Sequence, residues 1–181
     1  MSQLFHKSLQ LLKKPIILKS YNTILGIQDI SFIQKNLYLG NIESSKNETI
    51  LKNYYIGAIL NCTEYEPFHS YFQHKPTLRL PIQDTRDNQN LQNVFQELEN
   101  GVHFIDENIK NDKIVLVHCY WGFMRSATVV CAYLMKKYKM KPEMAIQYVR
   151  EKRPGSLNKM YNFNDLLEEY YKKYIQNQDD L

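Results

Sequence analysis

The sequence predicts an α/β domain, with a central, mostly parallel, twisted sheet of about five strands flanked by helices on both faces. Two observations carry this. Short apolar runs of strand length alternate along the chain with longer amphipathic segments, the pattern of an open parallel sheet covered on both sides. One of the runs, "KIVLVH" at residues 113–118, is continuously apolar, as a strand buried on both faces must be, and a helix-like run, "SATVVCAYLMKK" at 126–137, follows almost at once.

Taken in order, residues 31–39 read as a first strand or hairpin, 44–54 as helical and 56–60 as a buried strand. Residues 64–75 carry no period and read as irregular, and 77–82 read as a strand. A helix is expected from 91 to 109, then the strand at 113–118, then helices at 126–138, 142–151 and about 162–175. Pro142 fits a helix start, where its missing N–H and fixed φ cost nothing. The expected organisation is an N-terminal basic and apolar extension at 1–28, a domain at 29–176 and a polar tail at 177–181. No internal repeat is present.

With 181 residues, 44% hydrophobic and 23% charged, the chain is long enough to bury a real core and is neither of disordered nor of membrane composition. The net charge of +4 suits an anionic ligand. The basic residues do not cluster or interleave with aromatics as a nucleic-acid surface would, so no nucleic-acid partner is expected. No apolar run approaches the 18 or so residues of a membrane span, and Met1-Ser2 lacks the Gly of a myristoylation signal. The three cysteines are odd in number and have no framework spacing, which points to a reducing compartment, cytoplasmic or nuclear. The five histidines show no metal-ligand spacing, so neither a metal nor another cofactor is expected.

The chemistry concentrates in "HCYWGFMRS" at 118–126, between the buried strand and the helix. In a tight turn at a helix N-terminus the N–H groups of residues 120–125 can converge on one point, and the helix dipole adds positive potential, which suits a phosphate dianion. Gly122 permits the bend. Tyr120, Trp121, Phe123 and Met124 supply the remaining amides, and Arg125 can grip two phosphate oxygens through its permanently charged fork. The same field favours a thiolate, so Cys119 is expected to be ionised near neutrality and nucleophilic. Ser126 can hydrogen-bond the sulfur and ease its departure, and His118 is expected to hold the loop rather than to transfer protons.

These residues resemble the signature of the dual-specificity protein phosphatases, a branch of the cysteine-dependent protein tyrosine phosphatases. "NLYLGNIESS" (36–45), "IGAILNCTE" (56–64), "LPIQD" (80–84), "FIDENI" (104–109) and "EMAIQYVREKRP" (143–154) resemble family segments in the family's order. The resemblance implies a protein tyrosine phosphatase-like fold. It also implies hydrolysis of phosphotyrosine and phosphoserine or phosphothreonine through a phosphocysteine intermediate, without a metal. The leaving oxygen then needs an acid, worth about 10²–10⁴ in rate. The family's "Pro-Ile-x-Asp" pattern points to Asp84, whereas the distance to the later "FID" block fits Asp87 better, and both stay open. The family's Pro before the Asn that follows "RP" is replaced by Leu157, which leaves the geometry of that connection open.

Other readings stand beside this one. A phosphopeptide-binding module without turnover would keep the cradle, as would a phosphatase acting on a non-protein ester. The phosphate loop lacks the Lys residues that inositol-lipid relatives tend to place there. Its four bulky side chains either form an apolar rim or only brace the loop. Cys62 follows a strand whose end should reach the same edge, so it is a candidate redox partner for Cys119, with a plain core thiol as the alternative. Cys131 reads as a packed core thiol. Residues 1–28 contain no acid, and Leu9, Leu12, Ile16 and Leu18 suit a segment laid over the domain. A mitochondrial-type presequence fits poorly because the segment has no Arg. "KKPIIL" at 13–18 resembles the motif by which MAP kinases hold phosphatases, so a kinase partner is a further expectation. The oligomeric state is not legible.

Overall fold

The computed structural model describes residues 28–82, 91–158 and 163–176. Its sheet has five strands: β1 (Ile30–Gln34), β2 (Leu37–Gly40), β3 (Ile56–Asn61), β4 (Thr77–Arg79) and β5 (Ile114–His118), in the order β1-β2-β5-β3-β4. β1 runs antiparallel to β2, and the other neighbours are parallel. The expected hairpin at the first strand is therefore present, turning at Asn36, whose φ of 64° lies in the left-handed region that Asn tolerates.

Side-chain alternation divides the interior into two layers. Val115 and Val117 of β5 join Leu37, Leu39, Ala58 and Leu60 in the larger core, while Leu116 joins Ile30, Ile56 and Ile59 on the opposite face. Four helices build the larger layer: α3 (Leu91–Lys110), α4 (Arg125–Tyr138), α5 (Pro142–Lys152) and α6 (Phe163–Tyr171), the last continuing into a π-turn, Lys172–Gln176. α4 is the central helix, with residues 126–135 all buried, as its nearly continuous apolar sequence requires.

The smaller face is covered by two short helices, α1 (Ile42–Lys46) and α2 (Glu48–Asn53), where the sequence predicts one. Asn47 causes the break. Its backbone is extended (φ −91°, ψ 102°), and its side chain accepts from the Ile50 N–H at 3.2 Å, so it closes α1 and caps α2. β4 is also shorter than expected. The Leu80 N–H still bonds Asn61 O at 2.9 Å, but Pro81 has no N–H to extend the ladder. The irregular stretch contains a single 3₁₀ turn, Ser70–Phe72. No helix among the described residues is long and apolar enough to cross a membrane.

The sheet's parallel strands all point their C-terminal ends at one edge, and β5 delivers residues 118–124 there, directly before α4. In such sheets that edge is where ligands gather.

Candidate active site

Cys119 is the first residue past β5, and it is 2% exposed, in a buried cluster at the sheet edge. Two donors reach it: the Gly122 N–H at 3.1 Å and the Ser126 hydroxyl at 3.2 Å. Both favour a negative sulfur. Arg125 opens α4, partly exposed, and Ser126 follows it, fully buried.

The shape of the loop is set from outside, through its carbonyls. His118 O accepts from the Cys62 N–H (2.8 Å), Tyr120 O from the Ile42 N–H (3.1 Å) and Phe123 O from the Leu157 N–H (2.9 Å). Met124 O accepts from both the Thr128 N–H (2.8 Å) and its hydroxyl (3.0 Å). Trp121 O and Gly122 O are taken by one side chain, Arg153, through Nη2 at 3.4 Å and Nε at 2.8 Å. In a planar trans peptide each carbonyl points opposite to the N–H that follows it. Holding these oxygens outward turns the amides of residues 121–125 inward, toward the sulfur side of the loop.

Arg153 is fully buried, yet among the described residues no carboxylate lies at salt-bridge distance from it. Its Nη1 donates to Gln28 O (2.8 Å) and Ser31 Oγ (3.0 Å), and the guanidinium lies 5.0 Å from the Phe123 ring centroid. Burial pushes it down from its ordinary value to about 10, against the opposing pull of Cys119 and Asp29, so it stays cationic at neutrality. The cation behind the loop adds to the positive potential in front of it. Sequence reasoning did not single it out. A buried Arg that binds backbone carbonyls leaves no spacing signal, and the only cue was its place in the "RP" dipeptide.

Gly122 has φ +75°, and a Cβ there would stand 2.5 Å from Gly40 O and 2.8 Å from Arg153 Nη2. The bend expected at this glycine is therefore also a close approach to β2, which no other residue could make. Leu157 likewise has φ 51°, and its N–H is in use; a proline could supply neither, so the departure from the family pattern is built into this loop.

Of the four bulky loop residues, Phe123 and Met124 are buried and brace the loop. Tyr120 and Trp121 are partly exposed at the rim, edge to face at 5.7 Å. His118 is buried, with Nδ1 3.4 Å from Cys119 O. Burial pushes its imidazole from 6.5 to about 3, outweighing the Cys119 carbonyl's opposite pull, while the charges of Arg79, Lys46 and Arg125 act in the same sense as burial. It is neutral at physiological pH, in keeping with a holding role.

Cys62 lies beside Cys119 in the sheet register. Leu60 pairs with Val117 and Asn61 with His118, so the next positions on the two neighbouring strands are the two cysteines, both in the larger core. Burial, and then the Cys119 charge, hold the Cys62 thiol well above its ordinary value despite the opposing pull of Arg125. Cys131 is buried in α4 away from the loop. Asp84 and Asp87 lie outside the described residues, as does all of 1–27. Among the described residues no group of three or more His, Cys, Asp or Glu is placed to hold a metal ion.

A cysteine sulfur ringed by inward amides at a helix N-terminus, with an arginine opening that helix, defines a cysteine-dependent phosphate-ester site. Residues 37–173 match the family model of the dual specificity phosphatase catalytic domain, and the chain belongs to that family. It is 40% identical over 126 residues to Dual specificity protein phosphatase 1 of Arabidopsis thaliana, covering 68% of this chain and 60% of that one. Over 146 residues it is 34% identical to Dual specificity protein phosphatase 16 of Homo sapiens, covering 81% of this chain and 21% of the human protein. The Yvh1 phosphatase domain from Chaetomium thermophilum superposes with a TM-score of 0.68 at 27% identity, covering 79% of this chain and 95% of that one. The chain thus spans about 60% of the Arabidopsis protein and about a fifth of the human one.

The buried His118 gives a pH prediction. A histidine whose folded value is lowered binds fewer protons than the unfolded chain between about 3 and 6.5, so its contribution to stability is present above 6.5 and is lost as pH falls toward 3. Chemical denaturation of the wild type and His118→Gln across that range should show the wild-type advantage shrinking by several kcal/mol on acidification. An advantage independent of pH would contradict a neutral, buried imidazole.

Proposed function

We propose that the chain is a phosphoprotein phosphatase that hydrolyses phosphotyrosine and phosphoserine or phosphothreonine through a phosphocysteine. The observation that carries this is the Cys119 sulfur accepting the Gly122 N–H and the Ser126 hydroxyl inside a loop whose carbonyls at 120–124 are bonded to the surrounding scaffold.

The Cys119 thiolate attacks phosphorus, forming an S–P bond as the P–O bond to the substrate side chain breaks. Inward amides and the Arg125 fork carry the charge of the equatorial oxygens. Asp84 gives its proton to the leaving oxygen, with Asp87 as the alternative donor. The same carboxylate then takes a proton from water as the water oxygen attacks phosphorus. The S–P bond breaks, the Ser126 hydroxyl receives the returning thiolate, and inorganic phosphate leaves. Each step balances with water as the only co-reactant.

Turnover of p-nitrophenyl phosphate and of phosphotyrosine and phosphothreonine peptides tests the reading. Cys119→Ser should abolish all three activities, and Asp84→Asn should lower the rate on an alkyl phosphate by about 10²–10⁴. Full alkyl-phosphate activity in Asp84→Asn with a loss in Asp87→Asn would move the acid to Asp87. Phosphate binding without turnover in the wild type would overturn the enzymatic reading.

Cys62 is a redox partner in this proposal. A peroxide oxidises the Cys119 thiolate to a sulfenic acid and is itself reduced to water. The Cys62 thiol then attacks that sulfur, a second water leaves with the thiol proton, and a disulfide forms. Adjacent strands lie about 4.8 Å apart, within the Cα range that a disulfide spans. After peroxide treatment, peptide mapping should link Cys62 to Cys119, and Cys62→Ser should instead accumulate the irreversible sulfinic acid; a map without that link ends the assignment.

Residues 13–18 are proposed to dock a MAP kinase as substrate or partner, in a reducing cytoplasmic or nuclear compartment that keeps the thiolate intact. Deleting residues 1–20 should weaken kinase capture. Unchanged capture would remove the docking role.

A further inference from the structure

The turn after β3 holds Tyr65, which is 89% exposed. The backbone on either side of it is fixed by buried groups. Asn61, itself inaccessible, accepts the Thr63 N–H (2.9 Å) and hydroxyl (2.7 Å) on Oδ1 and donates from Nδ2 to Glu66 O (2.9 Å). Arg79 of β4 reaches across to Thr63 O (2.9 Å) and Glu66 O (2.6 Å). Lys46 of α1 pairs with the Glu66 carboxylate at 2.8 Å. Six side-chain bonds therefore converge on the residues flanking one solvent-facing ring.

That turn leaves the sheet edge that carries the Cys119 loop. The turn begins at Cys62, whose N–H bonds the residue before the nucleophile, and three residues span at most about 11 Å. Its far end is tied to the rim through α1, whose Lys46 pairs with the Glu66 carboxylate (2.8 Å) and whose Ile42 N–H bonds Tyr120 O (3.1 Å); the Glu66 charge, after burial, also pushes the Tyr120 hydroxyl up. A large aromatic on a pre-fixed turn gives up little conformational freedom on contact, which is how rigid aromatics serve recognition surfaces.

We propose that Tyr65 is a specificity-determining residue that packs against an apolar side chain flanking the phosphorylated residue of a polypeptide substrate. The inference rests on the phosphoprotein reading above and names the part of the substrate that is read. Asn61 and Arg79 are positioning residues for the ring, and neither touches the phosphate. The pinned turn gives a flat apolar surface beside the pocket without adding to the loop that binds the phosphate.

The test compares two phosphotyrosine peptides, one with Leu and one with Gly at the positions on both sides of the phosphotyrosine, with p-nitrophenyl phosphate as the reference lacking any flank. The wild type should prefer the Leu peptide by about 5–10-fold in kcat/KM, through KM, the scale of one packed aromatic anchor. Tyr65→Ala should abolish that preference and lower the Leu-peptide to p-nitrophenyl phosphate ratio by the same factor, and Tyr65→Phe should keep both. A preference that survives Tyr65→Ala, or a loss that falls equally on p-nitrophenyl phosphate, overturns the assignment while leaving the phosphatase reading intact. A wild type that turns over p-nitrophenyl phosphate and neither peptide overturns the phosphoprotein reading and this inference together.

Discussion

The outward hold on the carbonyls of the loop from His118 to Met124 is the constraint on which the rest of the structure depends. Amides that converge on an empty point repel one another, so a loop left to itself would not keep them aimed inward. Each outward bond is worth about 1 kcal/mol net, and a buried carbonyl left without a donor would cost more. The donors come from the end of β3, from α1, from α4, from the Arg at the end of α5 and from the connection after it. No subset of these elements could shape the loop, so the phosphate cradle is a property of the assembled domain.

Charge is arranged on the same plan. Arg125 opens the helix that follows the loop, and Arg153 is buried among the loop's outward carbonyls, a hydroxyl and the Phe123 ring. Desolvating a guanidinium is costly. Several hydrogen bonds to carbonyls and a hydroxyl offset the cost, and the Asp29 carboxylate and the Cys119 sulfur favour the charge from a distance. His118 next to the nucleophile is kept neutral by burial, and the nearby cations act in the same direction. The sulfur thus accepts a loop amide and a hydroxyl, beside an imidazole that burial keeps from taking a proton at neutrality.

Much of this was legible in the sequence, for reasons that differ by element. The strand–loop–helix at 113–137 declares itself because β5 and α4 are buried on nearly all sides and so leave continuous apolar runs. The two cysteines that fall into register follow from strand pairing, which the order of apolar runs only hints at. The split of α1 from α2 depends on one Asn acting as both stop and cap, a role its identity permits and does not announce. Arg153 and Arg79 left no mark in the sequence because each bonds backbone carbonyls distant along the chain, and such bonds impose no spacing; Asn61 acts locally, through Thr63 and Glu66. Leu157 was noticed only as a departure; its left-handed backbone and its bond to Phe123 supply the reason.

The division of labour in the loop also decides where discrimination between substrates can arise. Its carbonyls are committed to the scaffold, and Phe123 and Met124 are buried beneath it; the proposed function assigns its amides to the phosphate. Gly122 has no side chain and no room for one. Of the loop's bulky side chains, Tyr120 and Trp121 stay partly exposed, edge to face with each other. Under the proposed function, discrimination between substrates falls to these two side chains and to neighbours at the same sheet edge that β3 and α1 bring forward. A scaffold that fixes its chemistry from behind leaves its rim open to change, since a substitution there disturbs none of the bonds that aim the amides.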